Sequence, residues 1–401
     1  MTIFKEDMMT VTSIPTQAEL VGHARGIASL LQAHANWNEQ HRRLHDETIE
    51  ALAQAGIFKL RAPKRYGGYE SDSRTLVEVL AELGQGDGST AWVAWVLTSN
   101  TWLIGMFPDA VQDEVFSTPN VRVSGTLSPT GRAERRDDGF VLNGQWHFQS
   151  GAWHSQWSVM AALSPLPEGG MAPVAVLVPT SELELLDDWD TAGLRGTGSV
   201  STVAREVFVP AQRVLSVMSL LAGQSASQRN AEAFIYRSPM VPTIAAAASG
   251  APLGLAKAAM TTFFQRLPGR GIAYTTYAKQ AEAPITHIQV AEAAMKIDEA
   301  EFHASRAATL VDSKAENGED WTLEERARVR MDAGMVARLA KEAIDILNTA
   351  SGGSSIYSSV PMQRIERDIQ AANLQGMIHP NTNLELYGRI RCGLEPNTVN
   401  I

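Results

Sequence analysis

Three short stretches carry residue types that suit a flat ligand with a polar edge. They are Val123-Ser-Gly-Thr126, Trp146-His-Phe-Gln-Ser-Gly151 and Gly193-Leu-Arg-Gly-Thr-Gly-Ser199. Each sets small or hydroxyl side chains beside backbone donors. Glycines let a backbone come close to a ligand. In the third stretch Thr197 and Ser199 add hydroxyls and Arg195 adds a charge. Alone, Gly193–Ser199 reads equally as a tight turn between strands. The third glycine of a dinucleotide fingerprint is missing, because position 201 is Ser201. Trp146 and Phe148 offer aromatic faces and read equally as core. Together the stretches match the needs of an isoalloxazine: a flat apolar wall, with hydrogen bonds along the polar edge and at N5.

Other chemistries lack their residues. There is no Gly-x-Ser-x-Gly elbow, and Cys392 has no evident base near it in sequence. There is no phosphate loop ending Gly-Lys-Ser/Thr, and no strand-first Gly-x-Gly-x-x-Gly for nicotinamide. Carboxylate-bridged metal bundles need Glu-x-x-His pairs, and none of the 9 histidines has a Glu three residues before it. His41 and His45 lie one helical turn apart in a charged stretch that reads as a solvated helix face, with no third ligand expected nearby. No metal site is therefore expected.

The elements that position these stretches fall into three parts. Thr16-x-x-Glu19 is a capping box for a helix running to about Asn36. Further helices are expected over Asp46–Ala55, Ser73–Gly84, Ala91–Met106 and Asp109–Phe116. The fourth of these five is apolar nearly all round, the mark of a buried helix. From about Val121 the chain turns to short β runs with Gly-rich turns, among them a hairpin at Asn143-Gly144 that puts Trp146 and Phe148 on one face. After about Ala226 four helical segments follow: Ala231–Leu267, Pro284–Lys314, Thr322–Ala350 and Pro361–Ala371. Short loops join them, as an antiparallel bundle requires. The expected division is 1–120 helical, 121–215 β, and 216–401 a four-helix bundle.

Bulk properties narrow the partners. The net charge of -10 over 401 residues gives no basic field for nucleic acid or anionic membrane. A single cysteine allows no intrachain disulfide, which fits a reducing cytoplasm. Met1–Pro15 lacks the basic start and apolar centre of a signal peptide. The closest approach to a membrane span, Val241–Leu255, is short and rich in Ala, Gly, Ser and Pro, and reads as a tightly packed helix.

In this order and spacing the motifs resemble the acyl-CoA dehydrogenase fold, and within it the flavin-dependent monooxygenases that take reduced flavin from a separate reductase. The resemblance rests on Pro63-Lys-Arg-Tyr-Gly-Gly68, Trp146-x-Phe-x-Ser-Gly151, Gly193–Ser199, Val209-Pro210, Ser351-Gly-Gly353, Arg364-x-x-Arg367-Asp368 and His379-Pro380…Glu385-x-x-Gly388-Arg389. It implies a mainly α subunit with a central β-barrel or sandwich, assembled as a homotetramer through the C-terminal bundle. The flavin, as FADH2 or FMNH2, would lie against the β module. Ser150 would face N5, and Ser124, Thr126, Trp146, Phe148, Arg195, Gly196, Thr197 and Gly198 would surround the ring and its tail. Gly352 and Gly353 would reach a neighbouring subunit's flavin.

The same resemblance sets two chemistries against each other. Many acyl-CoA dehydrogenases place a Glu base after the last Arg-Asp helix. Here that region reads Gly376-Met-Ile-His-Pro, with His379 near the expected spot. The monooxygenase branch forms a flavin C4a-hydroperoxide with O2, and a histidine suits the hydrogen bonding and proton transfer it needs. The resemblance thus implies oxygenation of an aromatic or heteroaromatic small molecule, of phenol or indole type. Trp92, Trp95, Asn100 and Trp102 would line its pocket, and an NAD(P)H-dependent reductase would supply the flavin. The competing readings are an acyl-CoA dehydrogenase or oxidase with bound FAD, and a non-catalytic bundle scaffold. For the flavin phosphate, the bundle offers Lys279 and, further back, Arg270.

Overall fold

The computed structural model describes residues 14–166 and 169–401. The reading of Met1–Pro15 thus falls almost wholly outside the described residues. The capping box forms as expected. Glu19 N donates to Thr16 Oγ1 at 3.3 Å and Thr16 N to Glu19 Oε2 at 2.8 Å, starting α1 (Gln17–His41). Four helices follow: α2 (Asp46–Gln54), α3 (Ser73–Gly86), α4 (Gly88–Ile104) and α5 (Asp109–Val115). Asp72 caps α3 and Asp87 caps α4. As its all-round apolar sequence predicts, α4 is buried along nearly its whole length.

Among the described residues seven strands form one sheet: β1 (Val123–Arg136), β2 (Gly139–Gln149), β3 (Trp157–Pro165), β4 (Met171–Pro179), β5 (Glu184–Leu185), β6 (Val200–Pro210) and β7 (Val214–Ser216). Their order is β5-β6-β2-β1-β3-β4-β7, and only β1 and β3 pair in parallel. The sheet curls until β4 and β6, which are not neighbours in it, touch. Trp146, Leu142, Met160, Val176 and Val207 fill the inside of the curl.

The expected hairpin at Asn143-Gly144 is not there. β2 runs through it, and the β1–β2 turn falls at Asp137-Asp138, where Arg136 faces Gly139. Asn143 instead clasps β6: its Nδ2 donates to Glu206 Oε1 at 2.6 Å, and Glu206 N donates to its Oδ1 at 2.8 Å. The bulge at this point places its extra residue on β6, where Glu206 takes a left-handed φ of 52°.

After β7 come α6 (Val217–Leu221), α7 (Met240–Ala248), α8 (Gly250–Arg266), α9 (Pro284–Asn317), α10 (Leu323–Ser351), α11 (Pro361–Ala372) and α12 (Pro380–Arg391). The first expected bundle helix is shorter and broken at Ser249, because Pro252 has no N–H to give Ala248. The small residues of Val241–Leu255 do pack tightly. A Cβ on Gly254 would sit 2.4 Å from Ala81 O and 2.7 Å from Gly84 Cα, so α3 and α8 cross backbone to backbone. One continuous core joins Leu76, Leu80, Trp92 and Trp95 of the first helices to Ala245, Leu255, Ala337 and Ile369 of the last. The two helical parts therefore hold each other, and the sheet sits beside them. Among the described residues no helix is long and apolar enough to cross a membrane.

Candidate active site

The stretch Gly193–Ser199 is wedged between three helices. A Cβ on Gly193 would lie 2.0 Å from Arg367 O of α11, and one on Gly196 would lie 2.9 Å from Asn38 Cβ of α1. Leu194 N donates to Asp368 Oδ1 at 2.6 Å. Burial above all, and then the nearby charge of Asp87, push the Asp368 carboxyl up to about 7. Arg195 is engaged locally, donating to Asp190 Oδ1 at 2.8 Å and to Thr191 O at 2.5 Å. The loop is a rigid wall, and its arginine already has its partners.

A buried line of hydroxyls joins this wall to the end of β2. Ser150 and Ser199 share a hydrogen bond of 2.6 Å, and Ser199 and Thr197 share one of 2.7 Å. Thr197 Oγ1 then donates to Leu194 O at 2.7 Å. A carbonyl can only accept, and each hydroxyl has one proton. Thr197 must therefore accept from Ser199, and Ser199 from Ser150. The relay leaves Ser150 Oγ with free lone pairs only, an acceptor for an incoming N–H. Gly151 N donates to Thr197 O at 3.0 Å and locks the same junction.

Trp146 and Phe148 do not share a face. The β2–β6 register slips between Trp146 and Gln149, and Phe148 takes a left-handed φ of 64°. The slip breaks the strict alternation of a strand. Trp146 is fully buried, and its Nε1 donates to Ala161 O at 2.6 Å. Phe148 is 69% exposed. The aromatic wall on offer is thus Phe148, and Trp146 is core. Ser124 is buried beside it, bonded to Ser158 at 3.1 Å and donating to Gln149 Oε1 at 3.4 Å, while Gln149 Nε2 has no partner. Thr126 is half-buried where β1 bulges away from β3.

Behind this junction lies α4. A Cβ on Gly151 would meet Val93 at 2.9 Å, and one on Gly125 would meet Asn100 Nδ2 at 3.1 Å. Of the pocket residues expected on α4, only Asn100 reaches this junction. Trp92 and Trp95 belong to the helical core, and Trp95 Nε1 donates to Ile244 O at 3.3 Å. Trp102 is buried on the other side and donates to Ile235 O at 2.8 Å. A helix apolar all round has no spare face, so Trp92 and Trp95 pack into the core, and Trp102 lines only a small cavity with Arg61, Ser99 and Thr243.

His379 stands at the head of α12. This helix lies beyond the four expected bundle segments, and Pro380 at its first position is its start signal. The imidazole is half-buried, caps nothing, and its Nδ1 is buried with no hydrogen-bond partner. A buried polar atom without a partner costs free energy, which a bound group would recover. Met377, two residues before His379, packs against both the helical core and the core between helices and sheet.

At the far end of the bundle, Gly352 and Gly353 are exposed beside two arginines. Arg270 Nη2 donates to Ser351 O at 2.5 Å and to Ser354 Oγ at 3.2 Å, and Arg266 Nη2 donates to Ser354 Oγ at 2.9 Å. Neither guanidinium has a carboxylate partner among the described residues, and Arg266 Nη1 is buried without one. Paired cations without a counter-charge suit a phosphate. Lys279, by contrast, is occupied by Glu282 at 2.9 Å. Arg266 was not singled out from sequence, since nothing local distinguishes it. Nor was His154, which follows the Ser150–Gly151 junction and is held neutral: burial first, and then Arg43, lower its pKa to about 4. In the bundle, Asp332 is buried and bonded to His303 at 2.7 Å and to Arg306 at 3.0 Å.

These residues fit a flavin: an exposed aromatic face, a buried acceptor hydroxyl, an unpartnered amide and imidazole, and a separate cationic cradle. A cavity of about 270 Å³ lies between α1, α3, α8 and α11 and reaches Asp368 behind the Gly193–Ser199 loop; no aromatic side chain lines it.

Comparison with known proteins bears on the same point. Residues 15–118 match the acyl-CoA dehydrogenase N-terminal domain, and residues 245–380 match the acyl-CoA dehydrogenase C-terminal domain. The chain is 32% identical over 387 residues to the "FADH(2)-dependent resorcinol hydroxylase, oxygenase component" of Rhizobium sp. (strain MTP-10005), covering 94% of this chain and 95% of that one. It is 30% identical to the flavin-dependent monooxygenase, oxygenase subunit HsaA, of Mycobacterium tuberculosis, covering 92% and 93%. Among solved structures, XiaF from Streptomyces sp. in complex with FADH2 and glycerol superposes with a TM-score of 0.91 at 32% identity, covering 95% of this chain and 97% of that one. A dehydrogenase reading is not favoured, since these relatives are oxygenase components.

Proposed function

The chain belongs to the acyl-CoA dehydrogenase family, in its branch of flavin-dependent monooxygenase oxygenase components, and from that premise we propose that it hydroxylates a small aromatic or heteroaromatic molecule, of phenol or indole type. Reduced flavin, FADH2 or FMNH2, supplies the electrons that let O2 place one oxygen atom on the substrate while the other leaves as water. A separate NAD(P)H-dependent reductase delivers it, in the cytoplasm.

The observation that carries the reading is His379, a half-buried imidazole with an unpartnered Nδ1 in the tail where a dehydrogenase would need a carboxylate. At that atom it takes or returns the proton of the substrate's hydroxyl or N–H. Phe148 forms the wall for the ring. Ser124, Thr126, Ser150, Thr197 and Gly198 line its polar edge, with Ser150 held as acceptor by the relay. Substrate lies between the Asn100 side of α4 and the head of α12.

In this reading the molecule is a homotetramer. Ile288, Met295 and Phe302 stand seven residues apart on α9, about 60% exposed, and a second copy covers them. Gly352, Gly353, Arg266 and Arg270 then serve the flavin phosphate of a neighbouring copy.

The test is turnover with chemically reduced flavin under ¹⁸O2 across a panel of phenols and indoles. One labelled atom in the product supports the reading. Unlabelled product, or bleaching of bound oxidised flavin by an acyl-CoA, overturns it.

A further inference from the structure

The expectation that His45 has no third ligand nearby fails in the folded chain. His41 turns back onto Trp37, stacking at 3.9 Å and bonding to Trp37 O at 2.9 Å. His45 meets His34 of α1 instead, with ring centroids 4.2 Å apart and stacked. Glu47, in the first turn of α2, completes the group: its Oε2 lies 3.3 Å from His34 Nε2. One ligand atom from each of His34, His45 and Glu47 falls within 4.8 Å of the others.

We propose that His34, His45 and Glu47 form a binding site for a borderline divalent cation of the zinc class at the α1–α2 corner. Two imidazoles and a carboxylate are the donors such ions take. Bonds of about 2.0–2.1 Å in tetrahedral geometry put ligand atoms about 3.3 Å apart. The His34–Glu47 pair already has that spacing. His45 closes the remaining gap by a side-chain rotation at a half-exposed position.

The outer shell supports the assignment. His34 Nδ1 is bonded at 3.1 Å to Oγ1 of Thr48, a fully buried residue, which fixes the ring and leaves Nε2 to face Glu47. His45 Nδ1 accepts from Glu47 N at 3.2 Å as the α2 cap. Ligation through Nδ1 gives up that cap, a loss that is small beside a transition-metal bond.

The site is far in sequence from the flavin residues but sits beneath their wall. Asn38 of α1 accepts from His45 N at 2.8 Å and packs against Gly196, and Arg42 O packs against Gly198. A cation joining α1 to α2 pins the corner on which the Gly193–Ser199 loop rests.

The experiment is calorimetric titration of the full-length, tag-free, chelator-stripped chain with ZnCl2, followed by thermal melting. Wild type binds one ion per chain and melts at a higher temperature with zinc. His34→Gln and His45→Asn each weaken binding by about tenfold or more. His45→Asn keeps an N-capping side chain, so its melting temperature without zinc stays near wild type. Absence of saturable uptake, or uptake and zinc stabilisation unchanged in both variants, overturns the proposal.

Discussion

At the scale of single residues, the hydroxyl relay makes a claim that an ordinary hydrogen bond does not. Its direction is fixed at Leu194 O, so Ser150 presents lone pairs. Reduced flavin carries a proton on N5 and oxidised flavin does not, so an acceptor there favours the reduced form. Ser199→Ala frees Ser150 to donate and removes the preference. Titration with both redox forms is expected to show reduced-flavin affinity falling several-fold, by about 1 kcal/mol, with oxidised-flavin affinity unchanged or improved. Equal losses for both forms would mean that Ser199 only supports the fold. His379→Asn keeps a side chain able to cap α12 but moves no proton. Product formation is expected to fall by about 10²-fold or more while flavin titrates as in wild type, measured by product yield per reduced flavin. These residues were visible in the sequence because small and hydroxyl side chains near glycine announce themselves. The relay's direction was not, since it depends on Ser150 and Thr197 meeting across β2 and the loop.

At the scale of elements, what was legible was what is local. The capping box at Thr16 and the all-round apolar α4 depend on neighbours a turn away and form as expected. Strand register depends on partners far along the chain. Asn143-Gly144 therefore misled as a turn, and Phe148 and Trp146 parted at a bulge. Asp368 shows the cost of joining elements: it ties α11 to the loop through Leu194 while buried near the Asp87 cap of α4. Its carboxyl is raised from 3.8 to about 7, so the folded chain holds this proton more tightly than the unfolded one. The stability it lends is therefore full below about pH 4. It declines as pH rises to about 7 at roughly 1.4 kcal/mol per unit, and is flat above that. Asp368→Asn keeps the acceptor for Leu194 N and abolishes the slope. Urea unfolding at pH 5 and pH 8 is expected to show the variant gaining on wild type at the higher pH. A parallel loss at both would mean that the carboxyl stays ionised throughout.

At the scale of the whole molecule, the site is split. The ring wall and relay belong to the sheet and its junction with α4, whereas the uncompensated arginines and exposed glycines stand at the tip of the bundle. One chain does not bring them together, and the apolar stripe on α9 suggests what does. Phe302→Glu places a charge in the middle of that stripe and is expected to yield smaller species by light scattering. If neighbouring copies share the flavin, the same variant also loses flavin affinity, although Phe302 touches none of the ring residues. Arg270→Ala separates the two effects: assembly is kept, and flavin affinity falls by about tenfold through loss of a charge-assisted contact worth roughly 1.5–3 kcal/mol. Phe302→Glu protein that dissociates yet binds flavin as tightly as wild type would show that each chain holds its cofactor alone. The bundle-tip arginines would then need another anion.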